Sequence, residues 1–258
     1  KSPIPDKLCV RPFKGKIPPR LVQTLPHLRV SISHLGAIHR FRRVNNDLNH
    51  LVFDDAAVRR YMRDSWGDHP IYGVFVDSLL GPMRADIFRY CQIYEHGGFY
   101  LDINKTLTHS LTSHATAETE AVISFEKNEC GQIADPRIRS HLLFPENQVA
   151  QWCFGFSPQH PILETTISRI VELAPWFRNR KFESVRQAVV ALTGPGVFTW
   201  AVRGFLHGDP GNQIVQADRF FGEKGAIQRL DLRNSIFKGE RHYAGRRYEP
   251  ILAKSHSL

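Results

Sequence analysis

The chain has 258 residues, 42% of them hydrophobic and 23% charged, with a net charge of +9. That length predicts one domain with a sizeable core rather than two. No apolar run approaches the length that spans a bilayer, and no nucleic-acid motif or aromatic-interleaved basic run accompanies the charge, so no nucleic-acid partner is expected.

Residues 1–16 are polar and rich in Pro and Lys and read as an extended lead-in, with one domain over 17–258. Lys1 rather than Met opens the chain, so the sequence is a processed form, a trimmed form or a piece, and a removed signal or anchor stays open. Ile17 to Thr24 reads as a first strand after prolines. Leu28, Ile32, Leu35, Ile38 and Phe41 recur at helical spacing. Leu48 to Phe53 is a second strand, and Asp54-Asp55 caps a helix from about Ala56 to Arg63. Strand and helix in alternation predict an α/β fold with a parallel sheet. Tyr72 to Leu80 is apolar and helical.

Pro82 then sits where a first-turn proline is tolerated, and Met83, Ile87, Cys91 and Tyr94 continue a helix. Gly97 and Gly98 stop it, because glycine accepts the left-handed conformation. Phe99-Tyr100-Leu101 form a short strand that runs into Asp102-Ile103-Asn104. Ala121 to Phe125 reads as a strand beside the one ending at Asp102, residues 126–146 as a long functional loop, and Gln148 to Phe156 as a further strand. Helices are expected from Pro161 to about Leu173, from about Ser184 to Leu192, and from the break Thr193-Gly194-Pro195-Gly196 through Phe205. Two or three short strands close the chain.

Cys9, Cys91, Cys130 and Cys153 lack metal-type spacing, and Cys91 and Cys153 read as buried free thiols. His27, His34, His39 and His50 also lack metal spacing and read as surface residues. Basic clusters stand at Arg40–Arg43, Arg178–Lys181 and Arg241–Arg247; each alone reads as solvated surface, while together they suit a user of phosphorylated substrates at a membrane face.

Two constellations carry chemistry. Asp102 and Asn104, at i and i+2 beyond a strand, present oxygens to one hard cation, or else bond their own backbone in a turn. Asp86 and Arg89, at i and i+3, share a helix face, as a surface ion pair or as a pair aimed at a site.

The stretch RADIFRYCQIYEHGGFYLDIN resembles the sugar-binding, Asp-x-Asp-containing region of glycosyltransferase family 32. IPPRLVQT is similar to that family's opening motif, NQVAQWCFGFSPQHPIL to its Gln-Trp and His-Pro segment, and LTGPGVFTWAV to its Thr-Gly-Pro segment, in the family's order. The nearest branch is the initiating α-1,6-mannosyltransferases and their bacterial polysaccharide relatives; the spacing of Asp86, Arg89 and Asp102 is also similar to that of the clostridial glucosylating toxins. The resemblance implies a single-domain GT-A (Rossmann-like) nucleotide-sugar-binding fold and transfer of a hexose with retention. It implies a GDP-mannose donor, with a UDP-sugar as the alternative, a glycan acceptor, Mn²⁺ or Mg²⁺, and peripheral membrane association.

By the same resemblance, Asp102 and Asn104 hold the metal, joined by the late His256. Asp86 and Arg89 orient the donor sugar, and Gln23, Thr24, Gly98, Tyr100 and Lys105 line the donor site. Asn104 stands where the family has a second Asp, which removes a charge, and Lys105 beside it adds one. Asn104-Lys105-Thr106 is also an acceptor sequon; a donor-site Asn is poorly placed for glycosylation, which favours a cytoplasmic chain or the cytoplasmic membrane face over a Golgi lumen.

Overall fold

The structure, a computed structural model, describes residues 2–3, 6–105, 107, 109–129, 136–208, 214–217 and 243–253. A two-residue strand β1 (Ser2–Pro3) precedes β2 (Arg20–Leu25), β3 (Arg29–Val30), helix α1 (Ile32–Val44) and β4 (Asn49–Asp54). β2 and β4 pair in parallel over their full length. A parallel pair needs a crossover, and α1 supplies it. The helical stripe expected from Leu28 begins later, because Ser31 caps α1 by accepting from the His34 N–H. Leu28 instead packs beside the small cluster of Leu25, Val30, Ile38, Val52 and Ile103.

Asp54 ends β4 and caps α2 (Asp55–Trp66), its carboxylate accepting from the Ala57 N–H at 2.8 Å. α3 (Pro70–Asp77) and α4 (Gly81–His96) follow, and α4 stops at Gly97, whose φ is 64°. β5 (Gly98–Leu101) then joins β2 in parallel on the side away from β4. Arg20 ties the junction, its guanidinium donating to the His96 carbonyl and to Gln92 Oε1. Gly98 has φ 105°, and a Cβ there would stand 2.8 Å from the Arg20 carbonyl oxygen.

The remaining elements are β6 (Ala121–Ile123), β7 (Phe125–Glu129), α5 (Pro136–Arg139), β8 (Asn147–Val149), β9 (Cys153–Phe156), α6 (Pro161–Phe177), β10 (Lys181–Phe182), α7 (Val185–Leu192), α8 (Pro195–Gly208), β11 (Ile214–Gln216) and β12 (Glu249–Pro250). The central sheet has six strands in the order β11-β6-β9-β5-β2-β4, all parallel except β9. Period-two alternation assigns its faces. Val22, Tyr100, Phe154 and Phe156 meet the helical layer of α2, α3, α4, α6, α7 and α8. Leu21, Phe99, Leu101, Val122 and Cys153 meet the opposite layer with Phe41 of α1, Leu107 and Leu111.

Three expectations about the strands and the loop between them change. The 121–125 strand does not sit beside the strand of Asp102, because β9 lies between them, with Gly155 opposite Phe99. A Cβ on Gly155 would approach the Phe99 ring to 2.5 Å, so only glycine admits that ring. The 148–156 segment is two strands, since Gln151 and Trp152 turn aside and β8 pairs with β7 instead. Within 126–146, the described residues include β7 and α5 rather than unbroken loop.

Residues Val185–His207 are long and apolar enough, by length and composition, to cross a membrane, contrary to the expectation from the sequence. They form two helices broken at Thr193-Gly194, and both contribute to the core. Cys91 and Cys153 are buried free thiols as expected, and burial pushes both well above the usual thiol range. In the lead-in, Lys7 exchanges both backbone hydrogen bonds with His50, at 3.1 and 2.8 Å, which covers the outer edge of β4.

Gly98→Ala strains a left-handed position and meets the Arg20 backbone. It should lower unfolding stability by about 3 kcal/mol or more in denaturant melts, whereas Gly204→Ala, with nothing within 4 Å, should not.

Candidate active site

From β2 the chain crosses to β4 on one side, and it comes back to β5 on the other. The carboxyl ends of β2 and β5 therefore flank a topological switch point, where open α/β sheets bind ligands. Gln23 and Thr24 arrive there from β2, and Tyr100 and Asp102 from β5. Asp86 and Arg89 come from α4, which packs over the sheet.

Arg89 is the centre of the group. Its guanidinium is buried and bonds Asp86 Oδ1 at 3.0 Å and Asp102 Oδ1 at 3.3 Å. Nη1 donates to the Gln151 carbonyl at 3.1 Å, and the guanidinium carbon lies 4.3 Å from the Tyr100 ring centroid. Burial opposes its charge, but Tyr100 and the two carboxylates outweigh burial and raise the Arg89 pKa. Burial pushes Asp86 up to about 6, against the pull of Arg89 and of the Gln151 and Thr193 hydrogen bonds. The surface ion pair that the i, i+3 spacing also allowed is thus a buried pair. Breaking such a pair by removing one partner costs about 3–5 kcal/mol.

Two segments distant in sequence lock this pair. Thr193 Oγ1 donates to Asp86 Oδ2 at 3.0 Å. The Thr193 carbonyl accepts from Tyr90 OH at 3.0 Å and from Gln151 Nε2 at 3.2 Å. The Thr-Gly-Pro and Gln-Trp segments therefore meet on Asp86 and Arg89.

Tyr100 holds the other carboxylate. Its hydroxyl donates to Asp102 Oδ1 at 3.0 Å and lies 3.4 Å from Thr24 Oγ1. Burial raises the phenol pKa well above its usual value, so the hydroxyl keeps its proton. The Gln23 amide donates to the Asp102 carbonyl at 3.4 Å. Gln23 Oε1 lies 2.7 Å from His50 Nε2, and His50 Nδ1 accepts from Arg42 Nε at 2.7 Å. Because Arg42 has only protons to give, Nε2 must carry the proton that His50 gives to Gln23. Burial and then Arg42 hold His50 down to about 3. His34 and His50, read as surface residues from the sequence, are both buried; residue type and spacing alone do not reveal that polar partners wait inside.

Beyond β5 the backbone turns. The Lys105 N–H donates to the Asp102 carbonyl at 2.9 Å, and the Asp102 N–H donates to the Trp152 carbonyl at 2.8 Å. Ile103 is pinned in the small apolar cluster between Asp102 and Asn104. Lys105 Nζ sits 4.8 Å over the Trp152 ring. Asn104 Oδ1 is buried and has no hydrogen-bond partner among the described residues. An orphan oxygen two positions from a carboxylate fits an oxygen-ligated dication. Among the described residues no three His, Cys, Asp or Glu converge on a metal site. Among the described residues, Asp102 and Asn104 would then supply the protein's oxygens, with phosphate and water beside them.

The structure brings together Asp86, Arg89, Asp102, Tyr100, Thr24 and Gln23, with Asn104 and Lys105 on the adjoining turn. Gly98 stands at the other end of β5, against Arg20. His256 lies outside the described residues. Gln151, Thr193 and Tyr90 were missed as individual site residues, although Gln151 and Thr193 sit in segments that stood out as motifs. Tyr243 gave no signal in the sequence, yet burial and the charges of Asp86, Arg186, Arg89 and Asp102 act on its phenol.

Residues 33–123, which include Asp86, Arg89, Asp102 and Asn104, match the family described as the glycosyltransferase sugar-binding region containing a DXD motif. The chain is 26% identical over 181 residues to an initiation-specific alpha-1,6-mannosyltransferase of Schizosaccharomyces pombe, covering 65% of this chain and 44% of that protein. A Candida albicans protein of the same name is 24% identical over 197 residues, covering 70% and 48%. The chain thus spans about half the length of the curated relatives it matches. The solved PaToxG glycosyltransferase superposes with a TM-score of 0.52 at 15% identity, covering 74% of this chain and 71% of that one. That likeness bears out the single-domain GT-A-like fold.

His50 yields a test of the network beneath Asp102. The unfolded chain protonates this histidine near pH 6.5, whereas the folded chain refuses the proton down to about pH 3. Between those values the unfolded state binds more protons, so stability rises with pH across the window and is lost as pH falls. In His50→Gln, the slope of unfolding free energy against pH should flatten by up to about one proton, measured by denaturant melts at several pH values.

Proposed function

We propose that this chain, a relative of the family 32 glycosyltransferases, transfers a hexose from a nucleoside-diphosphate sugar to a glycan or polysaccharide acceptor with retention at the anomeric carbon. GDP-mannose is the favoured donor, by the names of the relatives, and a UDP-sugar the alternative. The observation that carries the reading is the buried Arg89, held between Asp86 and Asp102 at the switch point of the sheet.

The residues divide the work as follows. Asp86 and Arg89 present fixed polar groups for the hydroxyls of the donor sugar, and their burial means that no reorganisation is needed on binding. Gln23, Thr24 and Tyr100 hold Asp102 in place at the strand end. Asp102 and Asn104 would hold Mn²⁺ or Mg²⁺, which when bound supplies positive charge to the leaving diphosphate. Lys105 adds a cation on the same turn. Both carboxylates of the site are engaged by Arg89, so neither stands as a free nucleophile; this supports transfer on one face of the sugar, with the leaving phosphate taking the acceptor proton. A cytoplasmic location or the cytoplasmic membrane face fits a half-buried sequon Asn104 better than a Golgi lumen does.

A second reading is a catalytically weakened or non-catalytic nucleotide-sugar or glycan binder, favoured by one observation: Asn104 offers an oxygen without charge.

Donor hydrolysis measured across nucleotide sugars with Mn²⁺ should show turnover of GDP-mannose first. Absence of both turnover and nucleotide binding for every donor would sink the proposal. Asn104→Asp should tighten Mn²⁺ dependence and raise turnover; if only the variant turns over while both bind nucleotide, the second reading holds.

The pH profile tests Asp86. Activity should fall as pH drops through about 6, where Asp86 takes up a proton. Thr193→Val removes a hydrogen bond that favours the ionised form, so the acid limb should move to higher pH, and the buried oxygen left without its donor should lower unfolding stability by about 1–3 kcal/mol in melts.

A further inference from the structure

Two of the basic clusters in the sequence meet in space. β10 and β12 pair antiparallel, with Lys181 opposite Pro250 and Phe182 opposite Glu249. That ribbon joins the Arg178–Lys181 turn to Arg246 and Arg247, more than sixty residues further along the chain. Arg178 is ion-paired to Asp77 at 2.7 Å and Arg246 to Glu249 at 3.6 Å. Arg180, Lys181 and Arg247 are exposed and make no ion pair among the described residues. Beside them stand Trp176 and Tyr248, each 64% exposed. The Arg180 guanidinium lies 6.0 Å from the Trp176 ring centroid.

The backbone here is also unusual. Asn179 and Tyr248 have φ of 56° and 54°, two of the three non-glycine left-handed residues described. A bulky residue in that region is strained, and such strain persists where the surroundings hold it. Three hydrogen bonds do so: Asn179 N–H to the Leu252 carbonyl at 2.8 Å, Tyr248 N–H to the Phe182 carbonyl at 2.7 Å, and Leu79 N–H to the Ile251 carbonyl at 3.0 Å. Phe182 stacks on Phe177 at 5.2 Å, so the ribbon rests its apolar residue inward. Tyr248 is thus displayed outward on a braced turn.

We infer that the β10–β12 ribbon, through Trp176, Arg180, Lys181, Arg247 and Tyr248, docks the protein on an anionic lipid bilayer surface. The charge decides between occupants. A neutral glycan would be met mainly by carboxylates and amides beside the rings, whereas here Arg180, Lys181 and Arg247 outnumber the one exposed carboxylate without an ion pair among the described residues, Glu183, so the face carries a net positive charge. Indole and phenol rings beside guanidinium groups suit the headgroup layer, where each ring keeps one polar atom in water. Lys and Arg near an anionic surface add attraction that salt screens. The inference does not depend on the donor reading, because none of these residues belongs to the Arg89 site.

Vesicle sedimentation tests it on the whole chain. Vesicles with about a third phosphatidylserine should retain the protein at low salt, and phosphatidylcholine vesicles should not. Trp fluorescence should shift to the blue on binding. The Arg180→Gln/Lys181→Gln/Arg247→Gln variant should lose about a hundredfold in partitioning, and Trp176→Ala should lower it separately. A control that neutralises exposed Arg40, Arg43 and Arg59 should change it little. Equal binding by the ribbon variant and the control, or no binding to anionic vesicles, would overturn the inference. So would displacement by an acidic oligosaccharide or a single-stranded oligonucleotide at stoichiometric concentration, since either would make that polymer the partner. Nucleotide-sugar hydrolysis by the ribbon variant should remain at the wild-type rate without vesicles.

Discussion

A guanidinium buried between two carboxylates is the constraint to which the rest of the structure answers. An isolated charge at the depth of Arg89 would cost many kcal/mol. Asp86, Asp102, the Gln151 carbonyl and the Tyr100 ring together make it tolerable. These partners come from α4, from the end of β5, from the turn before β9 and from the strand itself. Once Arg89 is fixed, so is the relation among α4, β5 and the turn before β9, and Asp102 cannot leave its position without leaving an unpaired charge.

This accounts for the company the sequence segments keep. Ile-Pro-Pro and Gln-Thr bring β2 beside β5, and the two glycines let β5 begin hard against the Arg20 backbone. Gln-Trp places a carbonyl on Arg89, and Thr-Gly-Pro places a hydroxyl on Asp86. Each segment is weak alone, because an Asp, a Thr or a Gln occurs anywhere. Their joint presence is a physical requirement: a buried network with one member missing is worse than an apolar core.

The site is held rigidly on one side and left unsatisfied on the other. Tyr100, Thr24, Gln23, His50 and Arg42 form a chain of hydrogen bonds that runs beneath Asp102 to the end of α1. Opposite it, Asn104 offers an oxygen that nothing among the described residues meets. A preorganised base with one free ligand atom is the arrangement expected where a charged ligand completes the structure.

Much was legible in the sequence because local rules govern it. Strand-then-helix order, the Asp54 and Pro82 helix starts, the glycine stop after α4 and the Asp102 turn follow from propensity, capping and backbone sterics. The spacing of Asp86 and Arg89 put them on one helix face, and the resemblance of four segments pointed to the donor-site role. Tertiary structure alone decided what depends on long-range pairing. It inserted β9 antiparallel between β5 and β6, split 148–156 in two, and buried His34 and His50. It set Gly98 at the far end of its strand from Asp102, and made Thr193 and Gln151 partners of a pair about a hundred and about sixty residues away. Sequence periodicity says which face a residue takes; only the packed chain says which partner meets it there, because a buried charge selects its partners by distance in space.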